Sequence, residues 1–398
     1  MKIYCFIDSL GSGGAQRQLV ALGLGLKKRG HEVRFLVYHD DDHFLYMLND
    51  FGIGCYVITA KSYIKKILEV RRILKIGWQD VVLAFLEAPS FYAEIASIPK
   101  RKWRLIVGER LANPDMNKLG GLLLRQFHRF ADVVVSNSHT NRMMLEILFP
   151  FLKRKLCTIY NTVDLKRFQP ALENERIYQY RTKKEFRLVV IASYQKKKNM
   201  MNLAKALKII NTVKVSMSIV VHWYGAMPAG PDAYDEVREY LKMNGIERYF
   251  YMHHAIRNVE EEMSRADVVA LFSFYEGLPN VVCEGMACGK PILISRVCDA
   301  DNLVQDGRNG FLCDPESPED IADKINCIAS LSKEQRERMG QESRRMAEEL
   351  FSEEKIVGRY EELILSVSDS LKIRDIENIP HYVPASAFDS INKWSKNV

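Results

Sequence analysis

Asp267-Val268-Val269-Ala270-Leu271-Phe272-Ser273-Phe274-Tyr275-Glu276-Gly277-Leu278-Pro279-Asn280-Val281-Val282-Cys283-Glu284-Gly285-Met286-Ala287-Cys288-Gly289-Lys290-Pro291 is the stretch from which the fold of this 398-residue chain is read. Its opening run is short, apolar and β-branched at several positions, which predicts a strand buried on both faces of a parallel sheet. Gly277 permits a sharp turn, and Pro279 suits the first turn of a helix, where its missing N–H costs nothing. Gly289-Lys290-Pro291 then leads into a second apolar run, Ile292-Leu293-Ile294-Ser295. Ligands of open α/β sheets bind at the carboxyl ends of strands, where this one delivers Glu276. The helix start beyond it favours an anion such as a phosphate. At ~3.6 residues per turn, Glu284 lies about one and a half turns further in, a carboxylate able to accept hydroxyl hydrogens.

Outward from this unit the chain repeats the pattern. Strand-like runs at Ile3–Asp8, Glu32–Tyr38, Cys55–Ala60, Val81–Leu86, Leu105–Val107 and Val133–Ser136 alternate with helical segments. A second series runs through Phe186–Ser193, Val215–Tyr224, Tyr249–His253, Val268–Phe272, Ile292–Ser295 and Gly310–Cys313. Such alternation predicts two α/β domains of Rossmann type in tandem, each large enough for its own core. The boundary is placed near residue 165, giving domains at 1–165 and 166–366, with 367–398 as a return segment to the first.

No apolar run reaches the eighteen or so residues of a membrane-spanning helix, and Met1–Ile7 reads as a first strand, not a leader. Eight scattered cysteines without a C-x-x-C pair argue for reduced thiols, a cytoplasmic setting and no zinc. The formal charge of +7 is uneven: residues 1–165 hold 24 Lys+Arg against 15 Asp+Glu (+9), leaving 33 against 35 (−2) for the rest. Two apolar-basic stretches, Ile64–Lys75 and Leu122–Arg129, suit an anionic membrane surface, or else are helices packed on the sheet with their cations in water. No nucleic-acid module accompanies the charge.

The context E-G-L-P-N-x-x-x-E-x-M-A-x-G-x-P, matched throughout, resembles the E-x7-E motif of retaining glycosyltransferases of family 4, which have the GT-B fold with two Rossmann-like domains facing a cleft. The resemblance implies transfer of a sugar from a nucleoside-diphosphate sugar, such as a UDP-sugar, to a hydroxyl of a glycan or lipid-linked glycan, without a metal or other cofactor. Glu276 would contact the donor sugar and Glu284 the ribose, with Gly277, Leu278, Pro279, Asn280 and Val281 lining sugar and phosphates. Ser193-Tyr194-Gln195-Lys196-Lys197-Lys198 follows the first strand of the second domain. The family often has Arg where Ser193 stands; Lys198 keeps its place as a diphosphate partner, with Lys197 or Lys196 supplying the lost charge. Gly225 and His254 fall at strand ends near the nucleotide. His253-His254 makes no metal pair, because adjacent strand side chains face opposite ways.

Gly11-Ser12-Gly13-Gly14-Ala15-Gln16-Arg17 resembles the family's amino-terminal G-G-A-E-R segment, with Gln16 for Glu, implying that Gly13 and Gly14 lie near the donor phosphates and Gln16 near the acceptor. As a dinucleotide fingerprint it fails at Gln16. Gly108-Glu109-Arg110-Leu111-Ala112-Asn113-Pro114 resembles the E-R-N-x-P variety of glycan transferases. Arg110 would hold an anionic group, oriented by Glu109 and beside Asn113; a buried Arg–Glu pair is the other reading. The expectation is thus a retaining glycosyltransferase of bacterial surface polysaccharide or lipopolysaccharide synthesis, on the inner face of the cytoplasmic membrane, with Glu276, Lys198 and Arg110 at its centre. A nucleotide-binding partner subunit without activity and a sugar-nucleotide epimerase stay open as alternatives.

Overall fold

The computed structural model describes residues 1–110, 119–171, 185–212, 218–228 and 232–368. Asn113, the start of the strand expected from Val215, and nearly all of the return segment lie outside the described residues. Contacts divide the chain into two units, Met1–Thr162 with the helix beginning at Glu353, and Val163–Ser352.

The first unit holds a parallel sheet of β1 (Lys2–Phe6), β2 (Glu32–Val37), β3 (Gly54–Val57), β4 (Val81–Phe85), β5 (Arg104–Glu109), β6 (Val133–Ser136) and β7 (Leu156–Thr158), in the order 3-2-1-4-5-6-7. Its helices are α1 (Gly14–Lys28), α2 (Leu45–Asp50), α3 (Tyr63–Lys75), α4 (Glu87–Ala96), α5 (Leu119–Arg125) and α6 (His139–Leu148). β4 and β6 are buried at every position, as their uninterrupted apolar runs require. The three-residue β7 is absent from the sequence reading, being too short to show a period.

The second unit repeats the plan with β8 (Glu185–Ile191), β9 (Ser218–Gly225), β10 (Phe250–His254), β11 (Val268–Leu271), β12 (Ile292–Ser295) and β13 (Gly310–Cys313), ordered 10-9-8-11-12-13. Around them run α7 (Met200–Thr212), α8 (Tyr234–Met243), α9 (Val259–Ser264), α10 (Asn280–Ala287), α11 (Ala300–Leu303), α12 (Pro318–Ser330) and α13 (Lys333–Leu350). In both units the first and fourth strands are neighbours whose connections leave in opposite directions. That divergence opens a crevice at their carboxyl ends, between β1 and β4 and between β8 and β11.

The final helix, α14 (Glu353–Ser368), was expected in the second unit but belongs to the first. Beneath its charged surface lies a buried stripe of Ile356, Val357, Tyr360, Leu363 and Ile364. Gly25 of α1 makes the close approach, since a methyl group there would sit 2.5 Å from the Val357 side chain. Glu361 accepts from Arg29 at 2.7 Å and pairs with His31 at 2.9 Å, which explains His31 as structural.

Candidate functional site

In the second unit the switch point assembles a compact charged site. Beyond β8, Lys196–Lys198 form a single 3₁₀ turn closed by Asn199 in the left-handed conformation at φ 63°. The Asn199 amide donates to the carbonyls of Phe272 at 3.0 Å and Pro315 at 2.7 Å, and the Phe274 N–H donates to the Lys197 carbonyl at 2.9 Å. These bonds stitch the lysine turn to the end of β11, and Lys198 Nζ consequently lies 2.5 Å from Glu276 Oε1. Ser273 Oγ donates to the same oxygen at 2.6 Å, while Ser295 Oγ donates to the Ser273 carbonyl at 2.6 Å. Lys197 stands 5.4 Å from the centre of the Tyr275 ring, its pKa lowered by partial burial and then by Lys198. Lys196 instead pairs with Glu236 at 3.3 Å on the surface.

Gly277 to Pro279 turn the chain into α10, which starts at Asn280 with Pro279 as a cap lacking a side-chain acceptor, one residue later than expected. Its first turn therefore offers main-chain N–H groups suited to an anion. Leu278 is buried, Val281 half-buried, and Glu284 buried within the helix. Arg167, bound to Glu260 at 2.8 Å and to the Arg257 carbonyl at 2.6 Å, also feels the field of Glu284. Gly225 ends β9 against the loop after β8: a Cβ would lie 2.1 Å from the Ala192 carbonyl oxygen and 3.2 Å from Ser193 Cα. His254 is exposed in register with Gly225, whereas His253 stacks on Tyr224 with ring centres 4.4 Å apart. The two histidines part as the pleat requires.

The first unit treats its candidates differently. Gly13 caps α1 and Gly14 begins it, while Gln16 folds back to donate to Asp8 Oδ1 at 2.8 Å. Glu109 does not orient Arg110. It turns inward to His128 Nε2 at 2.9 Å and Arg125 Nη2 at 3.1 Å, and the chain of pairs continues from His128 Nδ1 to Glu94 at 2.6 Å and from Arg125 to Glu87 at 2.8 Å. Burial pushes the Glu109 carboxyl up, but Arg125 and His128 outweigh it and bring the pKa to about 2. Burial likewise pulls His128 down, and Glu94 and Glu109 overcome it, raising the imidazole to about 9. Arg110 is also buried, donating to Tyr360 Oη at 2.5 Å and Asn161 Oδ1 at 3.1 Å, with its guanidinium 3.7 Å from the centre of the Phe85 ring. Ser138, beyond β6, caps α6 by accepting from the Asn141 N–H at 3.1 Å.

Two family models match the chain, Glycosyltransferase Family 4 over residues 12–167 and Glycosyl transferases group 1 over residues 173–346, the latter containing both glutamates and the lysine turn. The chain belongs to glycosyltransferase family 4. Similar curated proteins include N-acetyl-alpha-D-glucosaminyl L-malate synthase of Bacillus anthracis, 26% identical over 94% of this chain and 98% of the relative. Another is the GalNAc-alpha-(1->4)-GalNAc-alpha-(1->3)-diNAcBac-PP-undecaprenol alpha-1,4-N-acetyl-D-galactosaminyltransferase of Campylobacter jejuni, 26% identical over 79% of this chain and 86% of the relative. In fold, the chain matches Anabaena HepE in complex with UDP and glucose at a TM-score of 0.77 and 19% identity, covering 92% of this chain and 100% of that one. The fold is GT-B, and the chain is a glycosyltransferase.

Within this family 4 chain, the residues that sequence reading passed over are the supports: Asn199, Ser273, Ser295 and Arg167. Asn199 carried a signal, since asparagine tolerates the left-handed conformation that ends a turn. The three non-glycine residues at positive φ among the described residues, Leu86, Asn199 and Cys298, all follow carboxyl ends of strands, where strain gathers at functional edges. No cluster of three or more metal-ligating side chains occurs among the described residues.

Proposed function

We propose that this glycosyltransferase moves a sugar from a nucleoside-diphosphate sugar, with retention of anomeric configuration, to a hydroxyl of a glycan or lipid-linked glycan in bacterial surface-glycan synthesis. The observation that carries it is the Lys198–Glu276 pair at 2.5 Å beside the first turn of α10. A diphosphate entering this crevice competes with Glu276 for the Lys198 ammonium. It takes Lys198 and the α10 N–H groups as partners for the charge that grows on departure, and Glu276, still held by Ser273, turns to hydroxyls of the sugar. Glu284 serves the ribose, and the tight packing of Gly225 on Ala192 and Ser193 fixes the strand end on which the nucleotide rests. The nearby Lys197 makes good the cation missing at Ser193. Glu109 and Arg110 enter as framework of the first unit, not as groups touching substrate.

The Campylobacter relative acts, by its name, on an undecaprenol-linked glycan, which supports the lipid-linked form of acceptor and with it peripheral contact with an anionic membrane. Incubation with UDP-, GDP- and ADP-sugars, with and without lipid-diphosphate and free glycan acceptors, reads nucleotide release and the product anomer. Acceptor-dependent release with a retained anomer is expected. Nucleotide-sugar binding without turnover across the panel would leave a partner subunit instead, and an inverted product would overturn retention.

A further inference from the structure

The charge excess of the first unit has two sequence candidates for meeting a membrane, and the structure separates them. In Leu122–Arg129, Arg125 and His128 are buried in the ion network, Leu122 packs against the core and Arg129 bonds to Gln126, so that Leu123, at 56% exposure, points outward without the row of cations that α3 carries. α3 is different. Its inner face, Val70 and Leu74 with Ile67 and Ile73, is spent on the core, yet its outer face keeps Ile64 at 73% exposure and Leu68 at 59%. Ile64, Leu68, Arg72 and Lys75 follow at helical spacing along that face, flanked by exposed Tyr63, Lys65 and Ile76.

Residues 61–75 contain six cations, Lys61, Lys65, Lys66, Arg71, Arg72 and Lys75, and one acid. That acid, Glu69, faces away and accepts from the main-chain N–H groups of Thr59 and Ala60 at 3.4 and 3.1 Å. Outward aliphatic side chains cost little by themselves. Set between cations with no acid among them, they match a surface that is anionic outside and apolar just beneath. A second copy of this face would be repelled by its own charge.

We infer that the outer face of α3 docks on an anionic lipid bilayer, Ile64 and Leu68 entering the headgroup boundary and Lys65, Arg72 and Lys75 lying among lipid phosphates. The inference rests for its purpose on the lipid-linked acceptor. Vesicle binding, however, is read without donor or acceptor, so its failure and that of the transfer reading are separate results.

The test is co-sedimentation of the full chain with phosphatidylcholine vesicles, with and without phosphatidylglycerol. Binding is expected only to the anionic vesicles and should weaken with salt. Arg72→Glu with Lys75→Glu should weaken it on the order of ten-fold or more, and Ile64→Ser with Leu68→Ser should weaken it several-fold at unchanged charge. Lys333→Glu with Arg338→Glu, an equal charge change on exposed α13, should leave it intact. Thermal melts check that each variant folds. Absence of wild-type binding, equal loss from both charge pairs, or no loss from the serine pair would overturn the docking face; a dimer dissolved by the serine pair without vesicle binding would assign the face to a second copy.

Discussion

The two units share a strand order and present their switch points in the same way, yet they use charge in opposite fashions. At the carboxyl ends of β8 and β11, a lysine and a glutamate sit in a half-buried pair on a turn held by neutral donors, Asn199 and Ser273. At the carboxyl end of β5, Glu109 is sealed in a buried relay with His128 and Arg125, and Arg110 is clamped between Phe85, Tyr360 and Asn161. A half-buried pair can exchange its partner for a ligand, because solvent lowers the cost of separating the charges. A fully buried relay cannot, since removing either partner strands a charge in a medium that penalises it. Charged residues at the carboxyl ends of neighbouring strands in like folds are thus a candidate binding group in one unit and internal framework in the other.

The contrast breaks if the two sets respond alike. Glu276→Gln and Lys198→Ala should each lower transfer about 10²- to 10³-fold with little change in melting temperature, measured by nucleotide release under saturating donor. Equal losses of stability would make the pair framework too. The relay answers to pH. With its folded pKa raised from 6.5 to about 9, His128 contributes stability that is fully present below about 6.5 and lost as pH rises through about 9. Up to roughly 3 kcal/mol should disappear across that window in denaturant melts, and His128→Gln should flatten the slope. Glu109, depressed to about 2, loses its contribution only as pH falls through that value.

Gly225→Ala should cost about 1–3 kcal/mol, because the methyl meets backbone and not a yielding side chain, and should weaken nucleotide binding in calorimetry. Arg110→Met should cost about 1–2 kcal/mol by removing the buried bonds it donates to Tyr360 Oη and Asn161 Oδ1, while donor affinity stays the same. A variant of Arg110 that folds normally and loses donor affinity would move this residue into the site and narrow the difference between the units.

Much of this was legible in the chain alone because it depends on local pattern. Uninterrupted apolar runs such as Val268–Leu271 announce buried parallel strands, their alternation with helices announces two tandem sheets, and the spacing from Glu276 to Glu284 survives any detail of packing. Partnership was not legible. Glu109 and Arg110 are adjacent in sequence and looked like a pair, but Glu109 ends β5 and Arg110 lies just beyond it, and their partners come from 16 to 250 positions away. The charged helix after Ser352 hid a stripe whose destination, α1 of the first unit, no local signal states. Sequence determined which segments form strands and helices and which charged side chains reach the carboxyl ends of the strands, since those follow from short-range periodicity. Only the tertiary structure decided which of those charges are spent inside the core and which stay available, because burial and pairing are set by elements that meet across the whole chain.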